Sequence, residues 1–188
     1  MVRFCIRSLV AFCLLSLPAA ALTVDIDARI NVRTPQGETP VFLLLDAGEY
    51  IASPVAGLFT AWHAWSPQGT NRNCQGDACT QGWVNNWSIF TPDTSDIPFE
   101  TISAGTGVSG RPAWRTADLA LEHAGSLSFT LDSTQLVGFL IVDHPIFDNA
   151  GGMTVKVQPV GAIPLPAAGL LLLTGLAGVV LLSRMRPV

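Results

Sequence analysis

The stretch Asp143-His144-Pro145-Ile146-Phe147-Asp148-Asn149-Ala150-Gly151-Gly152 holds the residue types whose spacing best suits chemistry in this chain. Two carboxylates and a carboxamide gather on one short connection between the apolar runs Leu136–Val142 and Met153–Val157. Their oxygens are hard ligands. With nearby backbone carbonyls they match what calcium requires at about six to eight coordination. The same residues also fit an Asx-type turn, in which Asp148 and Asn149 cap their own backbone. On residue type and spacing both readings stand.

Other chemistry is thinner. Gly105-Thr-Gly107-Val-Ser-Gly110 matches G-x-G-x-x-G in letters, but Arg111-Pro112 follows where a helix would have to start, so a Gly/Ser loop is expected. Ser109 lacks the closing glycine of a nucleophile elbow. His63, His123 and His144 are scattered, and no carboxylate pair is marked out for glycoside cleavage. The chain is expected to be non-catalytic, with a secreted hydrolase as the weaker alternative. Five tryptophans, Trp62, Trp65, Trp83, Trp87 and Trp114, offer either core or sugar-stacking faces. Trp62 and Trp65 cannot both face one side of a regular strand, so one is expected outside. With His144 they are the sugar-contact candidates.

The ends set the compartment. Arg3 and Arg7, the apolar Leu9–Leu17, Pro18 and Ala19-Ala20-Ala21 read as a signal peptide over residues 1–21, addressed to the Sec export machinery. A retained N-terminal anchor is the minority reading, because the apolar run is short. Phe4 before Cys5 and Phe12 before Cys13 do not suit a lipoprotein signal. Without the arginines of the two ends, six basic residues face fourteen acidic ones, a formal charge of −8 against −4 for the whole chain. That surface excludes nucleic acid as a partner and suits cations and neutral glycans. Cys74 and Cys79, in a Gly/Asn-rich loop of an exported chain, are expected to form a disulfide; a metal pair is the alternative, without a second Cys/His pair at zinc spacing.

The elements that must position these residues are strands. Leu22–Arg33 alternates apolar and polar residues throughout, which predicts one half-buried strand. Val41–Leu45 and Gly48–Ser53 resemble a hairpin. Gly57–Trp65, Trp83–Phe90, Trp114–Leu121, Ser126–Leu131, Leu136–Val142 and Met153–Val160 read as further strands. Ser66–Gly82 and Thr91–Pro98 read as loops. About eight or nine short strands predict an all-β antiparallel β-sandwich, a jelly roll, over residues 22–161.

The loop Asp143–Gly152 resembles the calcium loop of bacterial galactose-binding lectins, jelly-roll proteins in which an Asp, an Asn pair and a Ser-Gly turn lead into the final strand. Gly57-Leu-Phe-Thr-Ala-Trp62-His-Ala-Trp65-Ser-Pro67-Gln68-Gly69 resembles their earlier segment, where a Trp precedes a Gly-Pro-Gln-Gly-type turn and a cysteine pair follows. The resemblance implies side-chain ligands from Asp143, Asp148 and Asn149, a backbone carbonyl near Ile146 or Phe147, and another near Phe59. This loop is shorter than the family's, and Asp148 stands where the family has Asn.

Ile163-Pro164-Leu165-Pro166-Ala167, then an uncharged apolar run, then Arg184 and Arg186 close the chain. The 18 uncharged residues Leu165–Leu182 sit at the lower limit for a membrane span, and the arginines put the C-terminus in the cytoplasm. A plain single-pass anchor is one reading. The order of motif, apolar helix and basic tail over residues 162–188 resembles the VPLPA-CTERM sorting signal, a relative of PEP-CTERM signals, with Ile163 for Val. That resemblance implies an inner-membrane-tethered intermediate, cleavage by an exosortase-type membrane protease, and a final place on the cell surface or in the extracellular matrix. Intact-mass spectrometry of the native protein is expected to find its C-terminus near Pro164–Ala167. A mature chain ending at Val188 would return the segment to a plain anchor.

Overall fold

The computed structural model describes residues 21–102 and 113–160. The expected sorting segment, the Gly105–Gly110 motif and all but Ala21 of the expected signal peptide lie outside these residues. Within them no helix is long and apolar enough to cross a membrane.

Two-residue alternation sets the first sheet. Strand β1 (Leu22–Asp27) buries Val24 and Ile26 and turns Thr23 and Asp25 outward. It pairs antiparallel with β13 (Ala150–Pro159), Leu22 opposite Val157 and Asp27 opposite Gly152. The other edge of β13 carries β5 (Gly48–Val55) and, opposite Ala150 and Gly151, the two-residue β6 (Trp62–His63). Strand β11 (Leu127–Leu131) extends the sheet beyond β5. Strands β8 (Ala78–Val84) and β7 (Arg72–Gln75) extend it beyond β6.

The second sheet centres on β12 (Gln135–Val142). Antiparallel β4 (Val41–Leu45) and β9 (Trp87–Phe90) flank it, and β10 (Glu100–Ile102) lies beyond β9. The short β2 (Val32–Thr34) runs parallel to the end of β12, with Arg33 opposite Val142, and pairs with β3 (Gly37–Glu38). One cluster joins the sheets. Met153, Val155 and Val157 from the first meet Trp87, Val137, Phe139 and Ile141 from the second, with Trp87 stacked on Phe139 at 6.0 Å between ring centroids. Truncating such a buried aromatic costs about 3–5 kcal/mol. The expected all-β sandwich is therefore present.

Local details differ from expectation, each for a physical reason. The Leu22–Arg33 alternation breaks after Asp27: Asp27 Oδ1 accepts the Arg29 N–H at 2.7 Å, and the Asp27 N–H donates to Asn31 Oδ1 at 2.9 Å. This side-chain turn outcompetes the ladder and leaves Ile30 exposed. Strands β4 and β5 are not a hairpin, because β4 joins β12 in one sheet and β5 joins β13 in the other. Within Ser66–Gly82 lies the β7–β8 hairpin, with Gly76 in the left-handed region (φ 59°) at its tip. Gly57–Trp65 is strand only at Trp62–His63. Trp114–Leu121 is not a strand: Ala117–Glu122 forms helix α1, started by Thr116, whose hydroxyl accepts the Leu119 N–H at 3.2 Å.

The close approach of β1 to β13 depends on Gly152. A Cβ there would collide with the Ile26 carbonyl oxygen and lie 2.8 Å from the Phe59 ring. A backbone oxygen inside a ladder has little room to yield. Gly152→Ala is expected to lose about 1–3 kcal/mol of stability in chemical denaturation; a change below about 0.5 kcal/mol, the range of neutral surface substitutions, would contradict the packing described.

Candidate functional site

Strand β12 ends and β13 begins at the same end of the sandwich, and residues 143–149 connect them. Asp143 follows β12 directly, Ile146–Asp148 forms a single 3₁₀ turn, and Asn149 precedes β13. Asn149 is fully buried. Its Nδ2 donates to the Ala28 carbonyl at 2.7 Å, and its own carbonyl accepts from Arg29 Nε at 2.6 Å. The side chain thus clamps the turn after β1, instead of capping its own backbone.

Three side-chain oxygens of this connection are left without partners. Asp143 Oδ2, Asp148 Oδ1 and Asn149 Oδ1 are each buried and accept no hydrogen bond. A buried polar atom without a partner costs about 1–3 kcal/mol, and more where charge is involved. Burial pushes the Asp143 carboxyl above its ordinary value. The Asn149 carboxamide beside it pulls the other way, and the negative charge of Asp148 pushes it up again. A cation would relieve unpartnered acceptors and two mutually repelling carboxylates together. Among the described residues no three His, Cys, Asp or Glu side chains converge. The donor set is two carboxylates and a carboxamide, all hard oxygens, which fits calcium better than zinc. The Phe147 peptide lies inside the 3₁₀ turn, with its ring 77% exposed. The carbonyl of Ile146 already accepts the Asn149 N–H at 3.3 Å.

On β6, His63 is fully buried. Its Nδ1 accepts the Trp65 N–H at 3.2 Å, which leaves the ring proton of the neutral form on Nε2, and Nε2 has no partner. Burial lowers its pKa, while Asn71 and the charge of Asp148 raise it in part. The charge of Asp148 thus acts on both His63 and Asp143. Asn71, Asn85 and Asn86 each add a buried, unpartnered Oδ1. Asn85 Nδ2 is anchored on the Thr60 carbonyl at 3.1 Å, and the Asn86 carbonyl accepts Trp62 Nε1 at 3.0 Å.

A cavity of about 210 Å³ opens beside Asp143, walled by Trp62, Ala64, Trp65, Val84, Asn86 and Val142. Of the sugar-contact candidates, Trp62 is only 2% exposed and serves as a wall, while Trp65 is half-buried. His144 is exposed and faces a second depression, of about 500 Å³, with Arg33, Thr34, Pro35, Val142 and Asp143. Asp143 and Val142 border both. Trp87 and Trp114 are core. Cys74 and Cys79 are bonded across the β7–β8 hairpin, as expected, which removes the metal-pair alternative.

The fold is thus that of an all-β sandwich with an oxygen-lined connection at one end. No protein-family model matches the chain, and no curated protein or solved structure matches it.

From sequence His63 stands only as one of three scattered histidines, and Asn71, Asn85 and Asn86 are not singled out. For the asparagine pair a signal was present: two carboxamides interrupt the apolar run Trp83-Val84-Asn85-Asn86-Trp87. His63 carried none, because a lone histidine between aromatics reads as core.

The raised Asp143 pKa has a sign. Its contribution to stability is fully present below the unfolded value of 3.8 and is lost as pH rises through the folded value. Without calcium, Asp143→Asn is expected to melt higher than the parent at pH 7, on the order of a few degrees. The two should converge towards pH 3.8 and below. Thermal scans in chelator check this, and a variant melting lower at pH 7 would contradict the desolvation described.

Proposed function

We propose that this chain is an exported, non-catalytic glycan- or exopolysaccharide-binding protein of the cell surface or extracellular matrix, with a lectin-like domain of galactose-binding jelly-roll type. Calcium is its cofactor, held by Asp143, Asp148 and Asn149 with a backbone carbonyl at Phe147. The observation that carries the reading is the set of three buried, unpartnered oxygens on one connection beside a tryptophan-walled cavity. A cation there would satisfy all three and present open coordination positions to sugar hydroxyls. Trp65 would supply the apolar face on which a pyranose ring packs. Export through the Sec machinery, a tethered stage in the inner membrane and release by an exosortase-type protease belong to the same reading and rest on the two chain ends.

A purely structural matrix protein is the second reading. It is favoured by the outer face of the second sheet, where Phe42, Leu44 and Leu136 are 41%, 65% and 38% exposed, and Leu44 stands opposite Leu136. Such an apolar face suits packing against other matrix components.

Calcium titration by calorimetry, followed by a glycan array with and without chelator, separates the two. The lectin reading expects calcium heat and array signals that chelator abolishes. Neither heat nor signal would leave the structural reading.

A further inference from the structure

The two depressions that meet at Asp143 have a consequence for the kind of glycan recognised. We propose that they are adjacent sugar subsites of one groove, so that the ligand is a stretch of neutral polysaccharide chain instead of a single terminal sugar. The proposal rests on the glycan-binding reading above.

The juxtaposition follows from strand register. Strand β2 lies parallel to the end of β12 with Arg33 opposite Val142, so the β2–β3 turn is held beside the first residue of the oxygen-lined connection. On one side of Val142 and Asp143 stands the cavity of Trp62, Trp65 and Asn86. On the other lie Arg33, Thr34, Pro35 and His144. Val142, 44% exposed, and the half-buried Asp143 border both depressions.

Each side has groups suited to a pyranose. The first offers the Trp65 ring, held by its backbone N–H on His63 Nδ1 and by edge contact with the His63 ring at 5.9 Å. Asn86 also lines it. The second offers hydroxyl, guanidinium and imidazole groups for hydrogen bonds, with Pro35 and Val142 for the C–H face of the ring.

Charge selects neutral sugars. Arg33 Nε is 2.9 Å from Glu38 Oε1, and its guanidinium lies 4.2 Å from the centroid of the Phe99 ring. The one arginine of the groove is therefore fixed in place with its charge partly balanced, while Asp143 stands at the centre. With calcium bound, the ion's charge would be balanced by the carboxylates of Asp143 and Asp148, so a sugar carboxylate would find no net positive charge in the groove. Pre-positioned donors, in contrast, cost little to engage with hydroxyls.

The test uses the purified full-length protein with calcium. Calorimetry would compare glucose, galactose, mannose and N-acetylglucosamine with their di- to tetrasaccharides and with a galacturonate tetrasaccharide. For the sugar that binds, the tetrasaccharide is expected to bind about tenfold tighter than the monosaccharide, a gain of about 1.4 kcal/mol from the second subsite. His144→Ala and Arg33→Met are each expected to bring that ratio towards one, and Trp65→Ala to weaken sugars of every length. The galacturonate chain is expected to bind more weakly than its neutral counterpart. Equal affinity for mono- and tetrasaccharide, a ratio unmoved by both variants, or preference for galacturonate would overturn the two-subsite proposal while leaving the glycan reading intact. No heat with any sugar of any length would overturn both.

Discussion

Strand β13 is hydrogen-bonded on both sides, and the placement of its first residues governs much of what surrounds them. β1 runs along one edge through Gly152–Val157, while β6 and β5 occupy the other in succession. Asn149, at its head, reaches across to the turn after β1 through both its side chain and its carbonyl. The connection 143–149 is consequently held at its end near β13, and Asn149 cannot turn out to water without giving up those bonds. Asn149 is thereby held inside, and Asp143 Oδ2, Asp148 Oδ1 and Asn149 Oδ1 are all buried and unpartnered. Unsatisfied acceptors that the fold holds inside are more informative than carboxylates on a free loop, which would turn towards solvent.

Around this point the fold brings together residues far apart in sequence. His63 stands opposite Ala150 because β6 is wedged between β13 and β8. Arg33 stands opposite Val142 because the turn after Asp27 swings the chain from the first sheet to the second. The asparagine-bound turn that ends β1 is thus also what delivers β2 to the site. Local side-chain chemistry and long-range geometry are one event here.

Much of the strand pattern was legible because burial follows alternation. Val24 and Ile26, Phe129 and Leu131, and Met153, Val155 and Val157 lie inward as their spacing requires. What escaped depended on competition between local and distant partners. Asp27 and Asn31 broke a faultless alternation by bonding to each other's neighbourhood, a contest that hydropathy does not register. Val41–Leu45 and Gly48–Ser53 look like a hairpin in sequence, yet their distant partners β12 and β13 draw them into different sheets. Thr116 starts a helix too short to display a full apolar period. For the site, the acidic connection was readable, since carboxylate and amide types stood together between strands. The cavity wall was not, because register alone brings Trp62, Val84 and Asn86 beside Asp143.

The proposed calcium site at Asp143, Asp148 and Asn149 is tested most directly by a crystal structure of the protein grown in calcium. The expected result is one ion with Asp143 Oδ2, Asp148 Oδ1 and Asn149 Oδ1 at about 2.3–2.6 Å, the remaining positions filled by backbone carbonyls or water. Water molecules bridging the same three oxygens at ordinary hydrogen-bond lengths, with no ion in their midst, would contradict it.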